Sequence, residues 1–166
     1  MGFPMLNSRV LPITILGLIF VLAAVSCSPS SPEAKKEKHR GRGLTYFEKG
    51  QFQEAVIEFK NVVQIEPKDA DAHYRLAQTY LKIGGLPNLQ AAFMELTKTV
   101  ELDPSNQDAQ LKLGEMYLLG NEPAKARERA DMILASAPQN ADGLILRGQS
   151  FIFINLLGRS LTPLTT

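Results

Sequence analysis

The sequence holds one cysteine, no tryptophan and two histidines in 166 residues. A single cysteine excludes an internal disulfide and any zinc site built on cysteines. Acidic and basic side chains nearly cancel, 17 against 18, so there is no basic face of the kind a nucleic-acid backbone requires. Neither His39 nor His73 is spaced with a carboxylate and a nucleophile as a triad. No HExxH, GxGxxG or P-loop pattern occurs. Gly84-Gly85 followed by Pro87 reads as a turn rather than a phosphate cradle, and Asp69, Asp71 and Asp103 are too dispersed for a metal. The expectation is therefore no catalytic residue, no cofactor, no metal and no enzyme. His73 is expected to pack within a helix pair, and His39 to be exposed in a basic cluster.

Charge is also missing from the start of the chain, where Arg9 is the only charged side chain before Cys27. Val10 to Val25, VLPITILGLIFVLAAV, is apolar but short of the about 20 residues a membrane-spanning helix needs. Pro12 and Gly17 weaken it further as a helix. A basic start followed by such a run is the layout of an export signal. The run ends in Ala24-Val25-Ser26-Cys27, which resembles the lipobox of bacterial lipoproteins. The resemblance implies cleavage after residue 26, a diacylglyceryl group on the Cys27 thiol and acylation of the new N-terminus. An ordinary signal peptide followed by a chance cysteine, and an uncleaved anchor, are the other readings of these residues. Each buried CH₂ of an acyl chain contributes roughly 0.8 kcal/mol, so several chains on one residue make a lasting membrane anchor. Ser28 stands where an Asp would favour the inner membrane, so the resemblance implies the outer membrane, facing the periplasm. Residues 27–35, with SPSSP, are expected to be a flexible tether. The basic cluster of Lys35, Lys36, Lys38, Arg40 and Arg42 either touches anionic head groups or forms a solvated helix face.

The remainder repeats itself. Pro67, Pro104 and Pro138 are 37 and 34 residues apart. With each proline counted as position 32 of a unit, small residues fall at position 8, aromatics at 11, alanine at 20 and a large apolar residue near 24. The first unit supplies Gly43, Tyr46, Ala55, Phe59 and Pro67, with Gly50 between its two halves. The second supplies Ala77, Tyr80, Gly84, Ala92, Leu96 and Pro104, with three extra residues in its inner turn, GGLPNL. The third supplies Gly114, Tyr117, Ala126 and Pro138, with Ala130 in place of Phe59. A fourth begins with Gly148 and Phe151.

These offsets resemble tetratricopeptide repeats from about residue 36 to 155, for which a period near 34 with paired helices is characteristic. The resemblance implies an all-α helix-turn-helix solenoid, a right-handed superhelix with units at 36–69, 70–106, 107–140 and a partial 141–157. The helices are expected at 36–49, 52–65, 70–83, 88–102, 106–119, 123–136 and 140–156. Gly43, Ala77 and Gly114 are expected to face Ala55, Ala92 and Ala126, so that paired helices approach closely. The prolines stop helices, lacking an N–H and clashing with the preceding turn, and Asp69, Asn106 and Asn140 supply the next N-caps. Glu54, Glu58, Lys60, Lys125, Arg129 and Asp131 are read as solvated charges serving solubility. Residues 158–166, with Gly158 and Pro163, are expected to be an irregular tail. The dense apolar cluster from Phe151 to Leu157 just before it implies either truncation of a longer array or a partner over this end.

The resemblance also implies binding in a concave groove lined by first helices, at positions 2, 5, 9, 12 and 13. The candidate contacts are Arg40, Phe47, Tyr74, Gln78, Leu81, Lys82, Leu111, Glu115 and Leu118. Leu118 and Leu119 have the alternative of packing on the next unit. This face lacks the Lys and Asn set of chaperone-binding members, so an extended or helical peptide held by apolar contacts with polar edges is expected. The whole chain, lipobox plus AVIEFKNVVQIEPKDADAHYRLAQTYLKIG, is similar to the repeat lipoproteins associated with bacterial exopolysaccharide production and PEP-CTERM protein sorting. The expected role is a membrane-anchored scaffold for a protein partner. An accessory of outer-membrane protein or pilus assembly, and a glycan-binding module using Tyr74 and Phe47, are the alternatives.

Overall fold

The computed structural model describes the backbone of residues 31–160 and the side chains of residues 31–156. The leader 1–26, Cys27, the start of the tether and the tail from 161 lie outside the described residues. Among the described residues there are helices and no strand: α1 (Pro32–Glu48), α2 (Phe52–Ile65), α3 (Ala70–Ile83), α4 (Leu86–Leu102), α5 (Gln107–Leu119), α6 (Pro123–Ser136) and α7 (Ala141–Ser160). α2, α3 and α6 have the bounds expected from the sequence. α1 begins within the expected tether. Pro32 suits a first helical position, where no N–H is needed, and the Ser31 hydroxyl accepts the Ala34 N–H at 3.2 Å. α7 runs past the expected break to Ser160. An interior glycine such as Gly158 costs a helix only about 1 kcal/mol.

The turns repeat as regularly as the helices. Gly50 and Gly84, at position 15 of their units, have φ of 74° and 72°, and Asn121 at the same position has φ 58°. Glycine reaches this left-handed region freely, and asparagine is among the few other residues that visit it. At position 15 of the last unit, Asn155 stays helical, and its amide donates to the Phe151 carbonyl at 2.9 Å. No turn is taken there, so α7 is 20 residues long. At position 34, Asp69, Asn106 and Asn140 accept the N–H of Ala72, Ala109 and Gly143 at 3.0, 2.9 and 2.9 Å. Each offsets an unpaired donor at a helix start.

Each hairpin closes on small residues, though not in the expected pairing. A Cβ placed on Gly43 would lie 2.8 Å from the Phe59 ring, so position 8 takes the aromatic of position 24 rather than Ala55. The first hairpin's Ala55 and Phe59 pack with Leu76 and Tyr80 of α3 and Ala92 of α4. Leu96 and Val100 form the next cluster with Tyr74, Ala77, Ala109 and Leu113. The third unit has Ala130 where Phe59 stood, and the volume is made up from α7. Leu146, 1% exposed, packs with Ala126 and Ala130 and is the nearest neighbour a Cβ on Gly114 would meet.

The hairpins also carry a buried polar contact that the sequence reading placed in solvent. His39 Nδ1, at position 4, lies 2.6 Å from Glu58 Oε2, at position 23, and Arg42 donates to the same carboxylate at 2.7 Å. Glu58 is 5% exposed, so it is not a solubility charge, and His39 is half-buried rather than exposed. The reason is register: position 23 falls one residue before the core residue Phe59 and faces the first helix. The second unit repeats the contact, with His73 Nδ1 2.6 Å from Glu95 Oε2. In the third, Arg129 donates to Gln110 at 3.3 Å. His73 and Gln110 also reach the carbonyls of Pro67 and Pro104 at 3.0 and 3.1 Å, tying each hairpin to the end of the preceding one.

Tyr74, expected in the groove, is a core residue at 7% exposure. Its hydroxyl meets Asp108 and Gln78, and burial, followed by the Asp108 charge, raises its pKa. The folded state thus holds this proton more tightly than the unfolded chain. Its contribution is complete below the ordinary tyrosine value of 10.0 and is lost as pH rises through the higher folded value. Melting temperatures followed by circular dichroism above pH 10 will fall more steeply for wild type than for Tyr74→Phe. Ala92, fully buried, has no room for growth. Ala92→Leu is expected to cost about 1–3 kcal/mol through overpacking, measured by urea denaturation.

Candidate functional site

The first helices of successive units are α1, α3, α5 and α7, and their groove positions divide into residues held by packing and residues left free. Arg40 is held: its guanidinium pairs with Asp69, with Asp71 at 2.6 Å and with Glu37 at 3.2 Å. These carboxylates raise its pKa against the opposing effect of burial, which is the largest single influence. Phe47 is half-buried against the first core cluster and meets the Phe52 ring edge-on, with centroids 5.4 Å apart. Leu81 is half-buried between two clusters, and Leu111 and Leu118 pack on the third. Leu118 thus packs on a cluster shared by its own hairpin and α7, whereas Leu119 is 82% exposed. Gln78 is half-buried, and Lys82 and Glu115 are exposed.

Leu111 and Glu115 are brought together with Asp142, Ile145, Leu146 and Gln149 around a small cleft of about 80 Å³ between α5 and α7. Asp142, Ile145 and Gln149 stand at positions 2, 5 and 9 of the fourth unit. The offsets that picked out Leu111 and Glu115 point equally to these three residues, and extending them one unit further would have found them. The exposed charges of these positions without an ion pair described above are mostly acidic: Glu48, Glu115 and Asp142 against Lys82.

A larger apolar cleft of about 710 Å³ lies elsewhere, between the first turns of α4 and the last turn of α5. Leu86, Met94 and Leu119 are 70%, 69% and 82% exposed on it. Phe93 and Tyr117 form its floor, ring edge to face at 5.4 Å. Its origin is the three-residue insertion. α4 has 17 residues where α2 and α6 have 14, and the three extra residues precede Ala92 as added helix rather than as loop. The insertion was visible in the sequence as GGLPNL; that it would extend a helix and expose Leu86 was not.

Among the described residues no group of three or more His, Cys, Asp or Glu side chains is placed to hold a metal. No described helix is long and apolar enough to cross a membrane.

Two family models match the chain, one described as TPR repeat over residues 43–84 and one as Tetratricopeptide repeat over residues 88–149. A comparison with curated proteins gave no match. Among solved structures, the second TPR domain of human RPAP3, in complex with the HSP70 peptide SGPTIEEVD, is 19% identical, with a TM-score of 0.63 over 73% of this chain and 98% of that one. The TPR2B domain of yeast Sti1, in a pHsp70 complex, is 21% identical, with a TM-score of 0.59 over 74% and 98%. MamA of Desulfovibrio magneticus RS-1 is 20% identical, with a TM-score of 0.65 over 75% and 69%. At these identities the likeness concerns the fold. Repeated offsets, paired helices and both family matches agree that this chain carries a tetratricopeptide-repeat solenoid.

Proposed function

We propose that this protein is a scaffold of the bacterial cell envelope, anchored through lipid on Cys27, whose repeats hold a segment of a protein partner. The observation that carries the binding role is the repeat array itself, whose first helices bring Leu111 and Glu115 to a common cleft with Asp142 and Ile145. The structural relatives solved in complex with an HSP70 peptide and with pHsp70 support a peptide as the class of ligand. The chemistry differs here. The RPAP3 peptide ends in EEVD, whereas the free charges of these groove positions are mainly acidic and Arg40 is already paired with three carboxylates. A partner segment with basic side chains around an apolar residue, seated near Ile145, fits this face. The lipobox supports a place at the outer membrane facing the periplasm. The likeness of the whole chain to repeat lipoproteins of exopolysaccharide and PEP-CTERM systems supports a role in that export or sorting machinery.

Two measurements test this reading. In bacteria fed labelled palmitate, wild type will take up label and Cys27→Ser will not; equal labelling of both removes the anchor. A photo-crosslinking residue at Ile145, which is 56% exposed, will give a discrete adduct in intact cells. Glu115→Lys with Asp142→Lys will abolish that adduct by charge repulsion while leaving helicity unchanged. An adduct that survives the reversal overturns recognition through these carboxylates, and the absence of any adduct at Ile145 places the partner elsewhere.

A further inference from the structure

The basic residues of the first hairpin divide by the face of α1 on which they stand. Lys36 is buried and donates to Glu66 at 2.7 Å, and Arg40 is spent on Glu37, Asp69 and Asp71. Lys35, Lys38 and Lys49 are exposed and form no ion pair among the described residues. Arg42, half-exposed, shares its charge with Glu58. At 3.6 residues per turn these four lie within about 60° of one another around the helix, and the row is about 21 Å long. It is turned away from the buried Lys36 and Gly43. Lys49 keeps the helical spacing, because its N–H bonds the Thr45 carbonyl at 3.2 Å.

The acidic residues of the helix are sorted out of this row. By the same count Glu33, Glu37 and Glu48 lie about 80° or more to one side of Lys38. The side chains between the cations are small, at Ala34, Gly41 and Thr45, and a Cβ on Gly41 would meet nothing within 4 Å. Residues 1–30 and 157–166 hold no Asp or Glu, so they bring no acidic side chain to the row. A solvated end of a repeat array needs only polar groups, of either sign. A flat, exposed row of one sign complements a surface of the other.

The place of the row in the chain says which surface. Lys35 is eight residues from Cys27, a length that spans at most about 30 Å. With lipid on Cys27, the head groups of the same bilayer stand at high effective concentration. A few cations then suffice to hold the helix against anionic lipid. We propose that the exposed face of α1 is a membrane-contact face, with Lys35, Lys38, Arg42 and Lys49 seated on anionic phospholipid head groups. The choice of a lipid surface rests on the anchor read at Cys27. The contact itself is measured without that lipid, so the two readings fail separately.

The test uses the full chain carrying Cys27→Ser and Thr45→Cys, with a donor dye on the introduced thiol. Thr45 is exposed within the row. Energy transfer to an acceptor lipid is measured in vesicles of phosphatidylcholine alone and with about 30% phosphatidylglycerol. Whatever the apolar leader contributes is common to both vesicles. Transfer is expected to rise with the anionic lipid and to fall back in about 0.5 M salt, where screening is nearly complete beyond a few ångströms. Lys38→Glu with Lys49→Glu will abolish the rise, shifting the lipid concentration at half-transfer at least about tenfold. Lys38→Arg with Lys49→Arg will keep it. Circular dichroism checks that both pairs fold. Equal transfer in the two vesicles, or a rise indifferent to charge reversal, overturns the proposal. So does row-dependent binding of the same chain to alginate, an acidic polysaccharide, at a lower charge concentration than to the anionic vesicles, since the row would then serve a polymer.

Discussion

Two helices of a hairpin stay in register here because one buried polar contact accompanies one close approach of small residues. The close approach alone is apolar and tolerates sliding by a helical turn. The contact between position 4 and position 23 does not, because a buried carboxylate left without its partner is costly. His39 with Glu58, His73 with Glu95 and Gln110 with Arg129 are three chemical solutions to that one requirement. Where the side chain at position 4 also reaches the proline carbonyl of the preceding unit, it fixes the stacking of hairpin on hairpin. The remaining packing follows from these distances. With the helices of a complete hairpin held at this spacing, Gly43 and Gly114 at position 8 leave no room for a Cβ, and Ala55, Ala92 and Ala126 at position 20 are fully buried.

This arrangement governs what the first helices have left for binding. Residues that look like recognition residues in the sequence are partly consumed by the scaffold. Arg40 fastens α1 to the start of α3, Tyr74 lies in a core, and Leu118 covers the third hairpin. The charges that remain free are mainly acidic, and the exposed apolar side chains at these positions, Leu119, Ile145, Ile152 and Phe153, gather on the last two first helices. A wide apolar cleft sits at the hairpin tips, where α4 is longer than its counterparts.

The all-α class, the repeat period and most helix bounds were legible in the sequence, because prolines, position-8 glycines and asparagine or aspartate caps act locally and recur at fixed offsets. α2, α3 and α6 needed nothing beyond that. The buried role of Glu58 was not legible, because a glutamate on a helix reads as solvated unless the facing helix is known to supply His39 and Arg42. The same limit applies to Tyr74 and to Leu146, whose positions are decided by neighbouring units. The length of α7 was hidden for a different reason: Asn155 is compatible with both a left-handed turn and a helix. In the groove, offsets identified Leu111 and Glu115 but said nothing of which leucines would be spent on packing.

The extra turn of α4 shows how such a protein changes without being redesigned. The three residues enter ahead of Ala92, so every downstream side chain keeps its angular phase and the core does not register the event. Apolar surface appears at the rim, from Leu86 to Met94, with no new element. A repeat scaffold can therefore diversify at its hairpin tips, one helical turn at a time, while selection on its interior stays constant. The tips can thus present a binding surface that is independent of the concave face.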